Sequence, residues 1–330
     1  MPSDVIPRGT PLFDAVPEDS IRKWIIEQRI LPLRTVPGIE EPRWADYHLF
    51  EIQALHAKPE AVTLWAAEIP CLLMARRLSW DTTILGVPNM SLDHILFPRG
   101  TALESVCEML KSACGRWRDE GNRFIVHKTS PSHLGILTAL GRAGFDMLCV
   151  HLDYLANAEK AASLTTPLEG YEFGVARPDE EEAVATLTSN NYALMDRFHI
   201  DPLVPRDRVP RLYREWGRNA FHGYSDVVWV ARHQGRVVGI SFWSFRKRVF
   251  EFTGVDCALN QLGAVDASQW NKGLFRRITG TVLGHLREQG ARWGTISTNV
   301  LNHSLQRSVQ ALGCTIHEAV VTYRKDLARE

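Results

Sequence analysis

Apolar side chains along the 330-residue chain recur with two periods, about 3.6 residues where a helix is expected and about 2 where a strand is expected. The first sixty residues sustain neither. Pro7, Pro11, Pro17, Pro32, Pro37 and Pro42 interrupt them, and only EDSIRKWIIEQR (18–29) reads as a helix. This stretch is expected to form an arm packed on the body of the protein. From Asp46 to Tyr154 the pattern alternates. AVTLWAAEI and SLDHILF read as strands, TALESVCEMLKSACGRWRDEG as a helix from Thr101 to Gly121, and RFIVHKT as a strand. SHLGILTALGRAG follows as a helix closed by Gly144, and FDMLCVHLDYLA as a final strand. The order is β-β-α-β-α-β.

The polar, small-residue segment ANAEKAASLTTPLEG (156–170) is the best boundary in the chain. Beyond it the order recurs. YEFGVAR is a strand, PDEEEAVATLTSNNYAL a helix opened by Pro178 and an acidic first turn, and RDRVPRLYREWGRNA a second helix. DVVWVARHQGRVVGISFWSF reads as a hairpin turning at Gln234-Gly235. QLGAVDA is a strand, NKGLFRRITGTVLGHLREQG a helix, ARWGTISTNV a strand, NHSLQRSVQALG a helix, and CTIHEAVVTYRKDL the last strand. The two halves read as divergent copies of one α/β unit. The expected organisation is an arm (1–45), a first unit (46–155), a linker (156–170) and a second unit (171–330).

Thirty-eight basic residues balance 38 acidic ones, which argues against a polyanion-binding surface spread over the whole molecule. With 45% hydrophobic and 23% charged residues the composition is that of a soluble globular protein. No apolar run is long enough to span a bilayer, and the N-terminus lacks a signal-peptide pattern. The six cysteines form no CxxC pair and read as reduced, buried thiols of a cytoplasmic protein.

The stretch LGAVDASQWNKGLF (262–275) carries the strongest chemical signal. A strand ends near Asp266, and Gly273 opens a long helix whose Leu274, Ile278, Val282 and Leu286 share one face. Free amides at a helix start, with a glycine allowing close approach and Lys272 beside it, suit a pyrophosphate; an ordinary strand-to-helix turn reads the same way.

Three segments resemble the GNAT acetyltransferase superfamily, and most closely its dTDP-fucosamine acetyltransferase-like sugar N-acetyltransferases. They are RLYREWGRNAFHGYSDVVWVARHQGRVVGISF (211–242), LGAVDASQWNKGLFRRI (262–278) and ISTNVLNHSLQRSVQALGC (296–314). The first half resembles a degenerate GNAT-like unit, with WDTTILGVPNMSLDHILF its most suggestive piece, and it has no counterpart of NKGLF. The resemblance implies an α/β (α+β by some schemes) fold of tandem GNAT-like units, each with a mixed, mostly antiparallel central sheet flanked by helices. It also implies acetyl-CoA as cosubstrate. Pantetheine would run along Gly263-Ala264-Val265, the pyrophosphate would sit on Trp270, Asn271, Lys272, Gly273, Leu274 and Phe275, and Asn302 would contact the cofactor arm or simply cap its helix. Of the loop signature Gln/Arg-x-x-Gly-x-Gly/Ala this chain keeps Gly273, with Trp270 and Phe275 at the outer positions.

Many relatives carry a proton-donating tyrosine where this chain has Val309. Ser308, Ser304 or a water then serves as the acid, or none is needed, because a thiolate of pKa ~8.5 leaves fairly well. Base candidates are His199 and Asp201 in RFHIDP, and Glu251; Asp201 before Pro202 reads equally as a turn residue. Arg246-Lys247-Arg248 reads as a solvated turn. The Trp243 and Phe245 face reads as core, pocket wall or interface. The expected activity is transfer of an acetyl group to a primary amine, that of a nucleotide-linked amino sugar, without a metal. The alternatives are another small amine, a longer acyl thioester, or a non-catalytic acyl-CoA-binding protein. The first unit is expected to help build the acceptor pocket or complete a homodimer, and no nucleic-acid or membrane partner is expected.

Overall fold

A computed structural model describes residues 4–28, 36, 38–190 and 196–329. The first half contains β1 (Asp4–Val5), α1 (Leu12–Ala15), α2 (Glu18–Glu27), α3 (Glu41–His56), β2 (Ala61–Ala66), β3 (Cys71–Arg77), α4 (Ser79–Leu85) and β4 (Asn89–Leu96). It continues through α5 (Leu103–Asp119), β5 (Phe124–Thr129), α6 (Leu134–Arg142), β6 (Asp146–Asn157) and α7 (Ala158–Ser163). The second half contains β7 (Tyr171–Val175), α8 (Glu181–Ser189), α9 (Arg197–Ile200), α10 (Val209–Asn219), β8 (Val227–His233) and β9 (Arg236–Phe245). Then come α11 (Lys247–Thr253), β10 (Cys257–Val265), α12 (Leu274–Glu288), β11 (Trp293–Asn299), α13 (His303–Gln310) and β12 (Thr315–Asp326).

The strands join in one twelve-stranded sheet, in the order β1-β2-β3-β4-β5-β12-β6-β11-β10-β9-β8-β7. Among the described residues only β4–β5 and β10–β11 pair in parallel, each across a strand–helix–strand crossover (β4-α5-β5 and β10-α12-β11). This is the internal repeat. The halves are then fused by exchange: β12 lies between β5 and β6, and β6 lies between β12 and β11. Each half's last strand thus completes the other half's part of the sheet.

Helices cover both faces. The α12 face of Leu274, Ile278, Val282 and Leu286 is buried against β8, β9 and β11, in the same core as Tyr154 and Trp243. On the opposite face α4, α8, α9 and α10 pack on Phe124, Val126, Phe242, Leu262 and Ala264. Trp243 is fully buried and donates from Nε1 to Ser241 Oγ at 2.7 Å, so its role is core packing. All six cysteines are free and buried.

Three local expectations need correction. The first sixty residues contain the sixteen-residue α3, which runs past the expected arm boundary at 45, because Pro42 falls in a first turn, where a missing amide costs nothing. β3 (CLLMARR) is a strand that periodicity passes over, since its residues are buried on both faces and show no alternation. Residues 247–253 are helical rather than a turn, and Gly254 closes the helix in the left-handed region (φ 73°). The hairpin turns at Gln234 (φ 50°) and Gly235 (φ 74°), as its sequence suggests. Among the described residues no helix is long and apolar enough to cross a membrane.

Candidate active site

β10 and β11 diverge to form a slot. They pair only from Cys257 to Leu259 against Trp293 to Thr295, whereas β10 stays paired with β9 as far as Val265. Gln261 is the extra residue of a bulge against β9, and a bulge bends its strand. Asn260 pins it: its Nδ2 lies 3.1 Å from Ser241 Oγ, 3.1 Å from Phe242 O and 3.3 Å from Leu262 O. Beyond the bulge the edge of Gly263-Ala264-Val265 away from β9 is open, and alternate backbone groups there point into the slot.

The loop after β10 is held by its own side chains. Asp266 accepts from the Ser268 amide at 3.0 Å, Trp270 Nε1 donates to Val265 O at 3.0 Å, and Lys272 Nζ donates to Gln269 Oε1 at 3.0 Å. Asn271 (φ 63°) and Gly273 (φ 69°) adopt left-handed conformations that turn the chain into α12. Gly273 is the N-cap and offers no side chain, so the first-turn amides of α12 keep their hydrogens for another acceptor. Gly263 faces the ring of Phe275, and a Cβ there would sit 2.9 Å from Phe275 Cε2.

Slot and loop form a cleft of about 730 Å³. Gly263, Ala264, Val265, Trp270, Asn271, Lys272, Gly273, Leu274, Phe275 and Asn302, the residues singled out for the cosubstrate, all line it, as does Ser308. Lys272, Arg276, Arg277 and Arg307 line it too, and among the described residues no carboxylate does. Asn302 accepts from the Leu305 amide at 3.2 Å, so it caps α13 and faces the cleft at once. Val309, one residue past Ser308, is fully buried.

A second chamber of about 220 Å³ adjoins the cleft, and Gly263, Asn302 and Leu305 line both. Its floor comes from the fused strands: Lys128 of β5, His151 of β6, Asn299 of β11 and Thr322 of β12. Asp196, Arg197, Tyr213 and Trp216, on and beside α9 and α10, form its roof. Burial, and secondarily Lys128, hold His151 below the usual imidazole pKa, while Asp153 and Asp196 oppose the shift. Its ring is therefore neutral at neutral pH and fit to accept a proton.

The base candidates from the sequence stand elsewhere. His199 sits behind the roof, its Nδ1 2.9 Å from Asp196 Oδ1 and its ring stacked on Tyr213. Asp201 is 3% exposed and closes a turn by accepting from the Leu203 amide at 3.0 Å, with Arg324 Nε at 3.8 Å. Burial raises its pKa, and it lines neither chamber. Glu251 lies on α11 at the opposite end of β10, paired with Arg248 and lining a different cleft. Of the catalytic candidates, Ser308 and Ser304 line the cleft, and the Ser308 hydroxyl donates to Ser304 O at 2.9 Å. His151 and Lys128 carried no local signal, because only the strand exchange brings them there. One group of metal-ligand types, Asp153, His317 and Glu318, has donor atoms within 4.8 Å of one another at the β12 bulge.

No family profile matches the chain. The fold is that of tandem GNAT proteins. A GCN5-related N-acetyltransferase from Sphaerobacter thermophilus superposes with a TM-score of 0.62 at 15% identity, covering 96% of this chain and 94% of its own. A tandem GNAT protein from the clavulanic acid biosynthesis pathway superposes with a TM-score of 0.58 at 12% identity, covering 96% and 97%. In sequence the chain is 33% identical over 69 residues to the spore coat polysaccharide biosynthesis protein SpsD of Bacillus subtilis (strain 168). That match spans 21% of this chain and 24% of the length of the relative.

Proposed function

We propose that the protein is an acetyl-CoA-dependent N-acetyltransferase that acylates the primary amine of an amino sugar. The observation that carries this reading is the cleft itself: an open strand edge leading to an uncapped helix start, ringed by four cations and no acid. The donor set fits coenzyme A. Its phosphates match the free amides and positive end of α12 together with Lys272, Arg276, Arg277 and Arg307. Its pantetheine amides match the unpaired backbone of Gly263 to Val265. Bound acetyl-CoA supplies the acyl group as a thioester whose sulfur leaves as a thiolate.

The chain's own residues do the remaining work. The two chambers meet at Gly263, so an amine in the smaller one lies beside the cleft. Neutral His151 removes the proton that the amine must lose. A β10 amide facing the slot, that of Val265 by the resemblance, stabilises charge on the carbonyl oxygen. Val309 cannot donate a proton, and a thiolate of pKa ~8.5 departs without one near neutral pH. No step needs a metal. The amino-sugar acceptor is supported by the likeness of residues 211–314 to sugar N-acetyltransferases and by the polysaccharide role named for the partial relative.

The test is calorimetric titration of acetyl-CoA into the full chain and into Gly273→Asp, followed by thiol release over a panel of amines. Micromolar binding that the variant loses, with turnover on an amino sugar, is the expected result. No binding of any acyl-CoA to the wild type removes the reading. The second reading, an acyl-CoA-binding protein without turnover, is favoured by Val309 and is singled out by binding without thiol release on any amine.

A further inference from the structure

One cation of the chamber beyond Gly263 has no ion-pair partner among the described residues. Lys128 and Arg197 line the chamber, and Asp196 is its one carboxylate. Asp196 Oδ1 already accepts from the Phe198 and His199 amides at 3.0 and 3.2 Å and meets His199 Nδ1 at 2.9 Å. Arg197 is bonded to Asp81 and lies 4.1 Å over the Phe198 ring, which fixes the guanidinium while leaving N–H groups free. Lys128 differs. Among the described residues its Nζ has no hydrogen bond and no ion pair, although the side chain is accessible through the cavity. Asp153 and Asp196 attract it only from beyond ion-pair distance, and burial, with Arg197, pushes its ammonium below the usual lysine value. In the small cavity on its other side, Asp93 is held by Arg76 and Ser91, and Glu318 has a partner of its own.

Among the described residues, the hydroxyl of Tyr213, a residue 2% exposed, and Trp216 Nε1 are buried without a partner, on residues that line the chamber. An unpaired ammonium on a cavity that a fixed guanidinium also lines is a site for an anion.

We infer that the amine acceptor carries an anionic group, a carboxylate or a phosphate, bound by Lys128 and Arg197. This rests on the acetyltransferase reading of the same site. The cation that reads the acceptor therefore comes from the first half of the chain, while the acyl donor's cleft belongs to the second.

The experiment uses the full chain with and without saturating acetyl-CoA, and titrates three probes: glucosamine, glucosamine 6-phosphate and an amino-uronic acid. An anionic probe is expected to bind at least tenfold more tightly than glucosamine. Lys128→Gln should remove that difference, Lys128→Arg should largely restore it, and acetyl-CoA affinity should stay unchanged in both. Preference for the phosphate or for the carboxylate identifies which anion is read. Equal affinity for neutral and anionic probes, or a preference that survives in Lys128→Gln, overturns the inference while leaving acetyl-CoA binding intact. Anion binding that depends on Lys128 in a protein that does not bind acetyl-CoA instead overturns the acetyltransferase reading alone.

Discussion

At the scale of single residues, the proposed chemistry rests on a histidine that no motif marks. His151 is half-buried and lies near Lys128, so its protonated form is disfavoured on two counts. With the folded pKa below the ordinary imidazole value of about 6.5, the neutral base persists as pH falls. The acid limb of kcat/KM should therefore lie below that value. Replacing His151 with Gln is expected to lower kcat by roughly 10² to 10⁴ and to abolish that limb, with acetyl-CoA affinity unchanged. An unaltered pH profile would assign the proton to another group. Asp201 and Glu251 illustrate why residue type alone misleads. A carboxylate before a proline suits a turn as well as catalysis, and only the position of its side chain decides.

At the scale of elements, the site depends on a strand that leaves its neighbour. Residues 262–275 announce a strand, a tight loop and an anchored helix in their order of apolar residues, aspartate and glycine, and the structure builds those elements there. The splay itself comes from the Gln261 bulge and from Asn260, whose amide bridges the bulge to β9. Asn260→Ala removes these hydrogen bonds and leaves partly buried acceptors unmet, at a cost of about 1–3 kcal/mol. The expected outcome is a lower Tm together with weaker acetyl-CoA binding. Reduced stability with unchanged affinity would separate the bulge from the cleft. Elsewhere the helix α3 and strand β3 were hidden from periodicity for opposite reasons. One carries in its first turn a proline that looks like a breaker, and the other is apolar on both faces.

At the scale of the whole molecule, the exchange of β6 and β12 makes each half incomplete without the other. The proposed units 46–155 and 171–330 are therefore not expected to separate: a fragment of residues 160–330 would leave β11 and β12 without β6 between them and would lose Lys128 and His151. Exposed strand edges of this kind associate with other chains. The fragment is expected to be insoluble or inactive, as measured by sedimentation and thiol release. Soluble, fully active 160–330 would show that the first half contributes nothing to the site. The repeat of β-α-β crossovers was legible because each crossover is written in contiguous residues. The fusion was not, because which strands pair across the sheet depends on packing between residues far apart in the chain.

The sequence by itself determined the local grammar of the protein: the amphipathic α12, the glycine that opens it, the cations beside it, and the two recurrent α/β orders. These follow from periodicity and backbone preferences that act within a few residues. Tertiary structure alone decided that β10 opens a slot, that two halves share one sheet, and that Lys128 and His151 meet Arg197 and Tyr213 around one chamber. Strand pairing and side-chain burial are long-range and collective, so no short segment carries a trace of them.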